Sequence, residues 1–273
     1  MLIFYWKVLI PVNPTYPNAR CQTLFMLGDS ALDKAIRKLE DAVVVDKTDD
    51  APFVVANGKQ VFPYLLENPK VMEIFQGYMT QRSKCVLKEL IPFMLKVCGD
   101  KAGVRVLDVG GGHGAVMEQL QSAAPHYNCS VLDLPHVVEM MAGNQASKIK
   151  FVGGDMFDKD TIPEADFVFL KHILHDWSDE DCQKILKNIH NILPDNGSCL
   201  IVESYIPDAG QATKEDWLGF SMDLTVMTIG GRERTESQTK EMMEKAGFKV
   251  EDNMIWWVPL TGKLSCVVAS KVN

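Results

Sequence analysis

Three residues far apart in the chain carry side chains that could move a proton together. His175 stands in His175-Asp176-Trp177, Glu203 closes the apolar run Ser198–Glu203, and Glu233 sits in Gly230-Gly231-Arg232-Glu233-Arg234-Thr235. A neutral imidazole can take a proton from a hydroxyl near pH 7. One carboxylate on each side of the ring would fix its tautomer and favour its protonated form. A lone histidine is more often structural, so the two glutamates carry the argument for a base. For Glu233 a plainer reading stands beside this one: a carboxylate favoured by the dipole of the helix that follows.

A second set of residues suits a nucleoside-like ligand. The run Val106-Leu107-Asp108-Val109-Gly110-Gly111-Gly112-His113-Gly114-Ala115 goes from an apolar stretch into a helical pattern. Glycines there permit a sharp turn and close approach of a ligand to the backbone. The run is not a dinucleotide fingerprint, because position 115 is Ala, and no P-loop lysine follows it. Asp133 ends the next strand pattern, 23 residues after Gly110, where a carboxylate can accept ribose hydroxyls. Asp155, Met156 and Phe157 end the third, with a carboxylate for an adenine amino group and two side chains for its face. Lys171 ends the fourth. His172 and His175, with Asp176 and Asp179 close by, could suggest a metal. The cysteines offer no companions and the acids fit a helix start, so no metal is expected.

These residues need a scaffold that gathers strand ends. From Val104 onward strand patterns alternate with helical ones. Strands are expected at Val104–Val109, Ser130–Leu134, Ile149–Val152, Asp166–Lys171, Ser198–Glu203, Lys249–Asn253 and Leu264–Ser270. Helices are expected at Ala115–Ala123, after Pro135, at Ser178–Leu193, at Lys214–Met227 and after Thr235. Ser178 with Asp181, and Thr235 with Gln238, have capping-box spacing. This order predicts an α/β fold with a doubly wound, mostly parallel, seven-stranded sheet. Ligands bind such sheets at the carboxyl ends of the strands, where the polar motifs fall. Upstream, residues 22–45 and 66–99 are helical in pattern, and residues 1–20, with three prolines, read as a poorly ordered lead. The division is thus 1–20, a helical segment over 21–100, and the α/β domain over 101–273.

With 273 residues, 47% of them hydrophobic, the chain can bury a large core, and a net charge of −8 argues against a nonspecific nucleic-acid binder. Seven scattered cysteines without C-x-x-C spacing read as reduced thiols of a cytoplasmic protein. The apolar N-terminal stretch is too short to span a bilayer, so no membrane association is expected.

Leu107-Asp108-Val109-Gly110-Gly111-Gly112-x-Gly114, Leu132-Asp133-Leu134-Pro135, Gly154-Asp155-Met156-Phe157, His175-Asp176-Trp177-Ser178-Asp179-Glu180 and Gly230-Gly231-Arg232-Glu233-Arg234-Thr235 together resemble the small-molecule O-methyltransferases, among them the caffeic acid and acetylserotonin enzymes. The resemblance covers roughly residues 25–271. It implies a Rossmann-like methyltransferase fold, S-adenosylmethionine as donor, no metal, and a small aromatic acceptor methylated on a hydroxyl. It implies His175 as general base flanked by Glu203 and Glu233. It implies Ser83, Gly110, Gly112, Asp133, Asp155, Met156 and Lys171 against the donor, and Phe75, Met79 and Asp176 against the acceptor. Family members usually begin with a winged-helix-like domain that makes a homodimer, and most of it is expected to be lacking here. Thr228 stands where plant members often carry an Asn that touches the acceptor. Two other readings stay open: a catalytically silent S-adenosylmethionine-binding partner protein, and methyl transfer to nitrogen on the same scaffold. The acceptor itself is not named by any residue pattern.

Overall fold

A computed structural model describes residues 30–40, 50–141, 148–258 and 262–272, with the backbone alone for Ser30, 252–258 and 262. The expected lead at 1–20 lies outside the described residues, as do parts of the helical stretch expected over 22–45. Helix α1 is Ser30–Ile36, α2 is Pro52–Asn57, α3 is Val61–Glu67 and α4 is Pro69–Cys98. Patterning alone did not foresee α2, which is only six residues long. Then come β1 (Arg105–Val109), α5 (Ala115–Ala123), β2 (Asn128–Asp133), α6 (Pro135–Met141), β3 (Lys150–Gly153), β4 (Phe167–Lys171), α7 (Asp179–Ile192), β5 (Ser198–Ser204), α8 (Trp217–Met227), α9 (Glu236–Lys245), β6 (Phe248–Val258) and β7 (Gly262–Lys271).

The seven strands form one sheet in the order β3-β2-β1-β4-β5-β7-β6. Neighbours among β1 to β5 are parallel, while β7 runs antiparallel between β5 and β6. The expected doubly wound sheet is therefore present, with β6 and β7 longer than periodicity indicated. Alternate residues point to opposite faces of a strand, and the two cores show it. Val106, Phe167, Phe169, Leu200 and Val202 pack with Leu90 and Met94 of α4 and Met117 and Leu120 of α5. Leu107, Val109, Val168, Leu170 and Ile201 pack on the other face with Ile185, Leu186 and Ile189 of α7 and Met243 of α9. Side chains this deeply buried stabilise the sheet by about 1.5–3 kcal/mol each. A strand covered on both faces reads as an unbroken apolar run, which is why Phe167–Lys171 was legible.

The caps also follow from sequence, with one difference. Thr235 and Gln238 exchange both hydrogen bonds of a capping box. At α7, Ser178 Oγ accepts from the Asp181 N–H at 3.1 Å, but the Asp181 carboxylate takes the Ser178 hydroxyl rather than its backbone N–H. Thr213 and Asp216 form a further box, unforeseen from sequence. Helix α4 is long enough to serve two purposes: Phe75, Met79, Arg82 and Ser83 face a cavity, and Val86, Leu90 and Met94 enter the core. Cys85, Cys98, Cys129, Cys182, Cys199 and Cys266 are all free, and Cys21 lies outside the described residues. No helix among the described residues is long and apolar enough to cross a membrane.

Candidate active site

One cavity of about 420 Å³ lies over the carboxyl ends of β1, β2 and β4, roofed by α3, α4 and α8. That volume is in the usual range for small-molecule sites. At its floor Gly110 and Gly112 hold φ of 69° and 55°, a left-handed conformation that costs glycine little. Asp133 Oδ2 accepts the Gly112 N–H at 2.8 Å and Oδ1 that of Leu134 at 2.8 Å, which fixes the carboxylate at the rim. Asp155 Oδ1 accepts the Phe157 N–H at 2.9 Å. Both carboxylates line the cavity, as do Ser83, Met156 and Lys171. Ser83 Oγ donates to the Met79 carbonyl at 3.0 Å. Phe157 packs edge-on to Trp177 with centroids 4.7 Å apart, and Phe62 stacks on the same indole at 6.5 Å.

Beneath the floor lie Asp108, which is buried, and Lys171, which is half-buried, both facing the cavity. Burial raises the Asp108 carboxyl and Lys171 opposes the rise. Burial also lowers Lys171, helped by Arg82 and opposed by Asp108 and Glu203.

The turn after β4 carries His175. His172, at φ 54°, swings the chain off the strand end, and the Ile173 and Leu174 N–H groups then both donate to Glu203 Oε1, at 3.1 and 2.9 Å. A second loop clasps the turn from outside. Arg234 donates to the carbonyls of Leu174 and Trp177, each at 2.8 Å, and pairs with Asp179 at 2.7 Å. The Arg232 N–H donates to the His175 carbonyl at 2.8 Å, and its guanidinium also reaches Asp179. Gly231 is required by space: a Cβ there would lie 2.1 Å from the His175 carbonyl oxygen.

His175 Nδ1 is 2.8 Å from Glu233 Oε1 and 3.5 Å from Glu203 Oε2, while Nε2 lies 3.5 Å from Asp176 Oδ1. The expected arrangement, one glutamate on each side of the ring, is thereby corrected. Both glutamates approach Nδ1, because β5 and the 230–235 loop reach the ring from the same side, and Asp176 is the carboxylate beside Nε2. Burial by itself would push His175 down. Glu233, Glu203 and Asp176 outweigh it and raise its pKa to about 10. Burial raises Asp176 to about 6 and also lifts Glu203. His172 is pushed well down by burial and then by Arg82, Lys171 and His175, so it is neutral at pH 7.

The structure thus brings Phe75, Met79, Ser83, Gly110, Gly112, Asp133, Asp155, Met156, Lys171, His175 and Asp176 to one cavity, with Glu203 and Glu233 behind the imidazole. His172, His175 and Glu203 offer ligand-capable atoms within 4.8 Å of one another, and Glu233 already takes His175 Nδ1. Asp179 is not in that group: it serves the two arginines. Thr228 is buried away from the lining, its hydroxyl donating to the Thr225 carbonyl at 2.5 Å. Met222 lines the cavity, whereas Trp217 is 41% exposed. The side chains of Trp256 and Trp257 lie outside the described residues. His113 and His136, given no role from sequence, line the cavity near Asp133. Asp108, Arg82 and Trp177 were also missed. Asp108 and Trp177 stood inside quoted motifs, and Arg82 gave no signal beyond its helical spacing from Met79.

The family model for the O-methyltransferase domain matches residues 36–249. The chain belongs to this O-methyltransferase family. Caffeic acid 3-O-methyltransferase of Catharanthus roseus is 34% identical to it over 228 residues, covering 83% of this chain and 60% of that protein. Pluviatolide O-methyltransferase of Sinopodophyllum hexandrum is 39% identical over 210 residues, covering 74% of this chain and 54% of that protein. This O-methyltransferase-family chain therefore spans little more than half the length of these relatives. Human N-acetylserotonin methyltransferase, solved in complex with SAM, superposes with a TM-score of 0.77 at 24% identity, over 93% of this chain and 70% of that one. That likeness shows the shared fold.

Proposed function

We propose that the protein transfers a methyl group from S-adenosylmethionine to a hydroxyl of a small aromatic acceptor, with His175 as general base. The observation that carries this reading is the buried imidazole, tied at Nδ1 to Glu233 and lining, beside Asp176, the same cavity as the glycine loop. The residues present fit the donor. A carboxylate fixed at the rim by backbone N–H groups suits ribose hydroxyls, as Asp133 does, and Asp155 with Met156 suits an adenine edge and face. Ser83, Asp108 and Lys171 offer a hydroxyl and both signs of charge to an amino-acid end. Bound there, S-adenosylmethionine supplies an electrophilic methyl on a positively charged sulfur.

His175 does the proton work. As the acceptor oxygen bonds to the methyl and the methyl's bond to the donor sulfur breaks, releasing neutral S-adenosylhomocysteine, the acceptor's proton would pass to His175 Nε2, while Nδ1–H stays with Glu233. A phenol has a pKa of about 10, and His175 is raised to about 10, so the transfer is close to thermoneutral. With an ordinary histidine it would be uphill by roughly 5 kcal/mol. Phe75 and Met79 of the helical segment hold the acceptor ring, and residues 101–273 carry the base and, apart from Ser83, the donor site. Orientation of oxygen, methyl and sulfur in line supplies much of the remaining rate. The site works in water without crossing a membrane, and a cytoplasmic setting suits its free thiols.

The test is calorimetric titration with S-adenosylmethionine, followed by turnover of His175→Ala on a phenol panel. Micromolar donor binding by parent and variant, with turnover lost only in the variant, is expected. A folded parent that binds no donor, or a variant as fast as the parent, overturns the reading.

A further inference from the structure

Arg82 is a buried cation that the chemistry above does not use. It sits on α4 one turn beyond Met79, 9% exposed, in the cavity wall. Its Nε and Nη2 have no hydrogen-bond partner among the described residues. Nη1 rests on Met222 Sδ of α8 at 3.4 Å, and the guanidinium lies 5.8 Å from the Tyr78 ring centroid. A guanidinium does not shed its proton to escape burial. An unpaired buried charge is strongly unfavourable. The ionisable groups that feel Arg82 are Lys171 and His172, both of which it repels, and the Cys85 thiol, which it lowers against a larger rise from burial. What completes this environment is an anion that enters through the cavity and takes two parallel N–H bonds from the fork.

We propose that Arg82 anchors a carboxylate on the acceptor, so that the preferred acceptor is an aromatic hydroxy acid rather than a neutral phenol. The inference rests on reading the cavity as a methyl-acceptor site. Position favours the acceptor over the donor. Arg82 follows Phe75 and Met79 along one face of α4, and its contact across the cavity is Met222 of α8, the helix whose Val226 packs at Gly231 beside His175. The donor's own carboxylate is the other source of this chemistry, and Ser83 and Lys171 in the same cavity offer it a hydroxyl and a cation.

The experiment measures binding of aromatic hydroxy acids and of their methyl esters to the full chain saturated with S-adenosylhomocysteine. The panel runs from hydroxybenzoate to dihydroxycinnamate. At least one acid is expected to bind on the order of ten-fold or more tighter than its ester, the scale of a charge-assisted pair. Arg82→Met should abolish that preference and leave S-adenosylhomocysteine affinity unchanged, while Arg82→Lys retains part of it. If no acid exceeds its ester in the parent, the inference is overturned, even where the variant does not fold. If Arg82→Met weakens S-adenosylhomocysteine ten-fold and leaves the acid preference intact, the anchor serves the donor and the inference is again overturned. A folded parent that fails to bind S-adenosylhomocysteine brings down the functional reading itself, and this one with it.

Discussion

Replacing Glu233 by Gln removes a charge and keeps a shape. Glu233 Oε1 sits 2.8 Å from His175 Nδ1, its side chain fully out of water, and it is the strongest of the groups that raise the imidazole. The Gln carbonyl can still accept the Nδ1–H, so the tautomer is retained. What is lost is the difference between a charge-assisted and a neutral hydrogen bond, about 0.5–2 kcal/mol. At 1.36 kcal/mol per pH unit, the midpoint of His175 should fall by about half a pH unit to one and a half. The sign for activity follows from the base role. Only neutral imidazole accepts a proton, so kcat/KM should rise with pH, and the parent limb should lie well above the usual 6.5, toward about 10. In Glu233→Gln the limb moves to lower pH while the high-pH plateau drops, because the weaker base faces an uphill transfer. The two profiles therefore cross. The assay is initial-rate methylation of a phenol from pH 5.5 to 10.5, with an NMR titration of the His175 ring protons beside it. A parent limb near 6.5, or the same limb in parent and variant, would refute the reasoning.

Other outcomes follow from the clasp around the turn. Gly231→Ala places a Cβ against a backbone oxygen that no rotamer can relieve; a loss of about 3 kcal/mol or more should appear in urea denaturation, and an unchanged midpoint would contradict the geometry. Arg234→Met strips donors from the Leu174 and Trp177 carbonyls; it should cost about 2–3 kcal/mol and lower turnover more than donor affinity, read by denaturation, kinetics and calorimetry. Asp216, held at about 2 chiefly by its bond from Lys263, also closes the Thr213 capping box. Its pKa is below the unfolded value, so its contribution is present above about pH 4 and lost as pH falls through about 2. Asp216→Asn should therefore cost about 1–2 kcal/mol at pH 7, with a gap to the parent that closes in acid; a pH-independent gap would contradict this.

The sheet was legible because its signals are local. An apolar run such as Phe167–Lys171, a glycine break after Val109 and a capped start at Ser178 each announce themselves within a few residues. The family motifs also pointed to His175 and Glu233, and Glu203 stood out as the carboxylate that ends the fifth strand pattern. Which nitrogen each carboxylate meets was not legible, because that depends on how the 230–235 loop crosses the end of β5. Nor could the sequence show that Glu203 Oε1 is spent on two backbone N–H groups. Arg82 read as one more polar residue on a helix. Its burial is set by α8, which arrives 140 positions later in the chain, and no period within α4 reports that.

The antiparallel insertion of β7 sets an order of assembly. Strands β1 to β5 can pair as a growing parallel sheet, each beside a strand already made, so the glycine loop and Asp133 find their frame early. Glu203, however, lies in register with Ser265, on the flank of β5 that only β7 covers. Until β7 has been made and slotted between β5 and β6, that flank is an open strand edge, prone to pairing with the wrong neighbour, and the platform under His175 is half built. The glycine loop and Asp133 thus rest on strands made early in the chain, while the flank that carries Glu203 waits for the last strand of all.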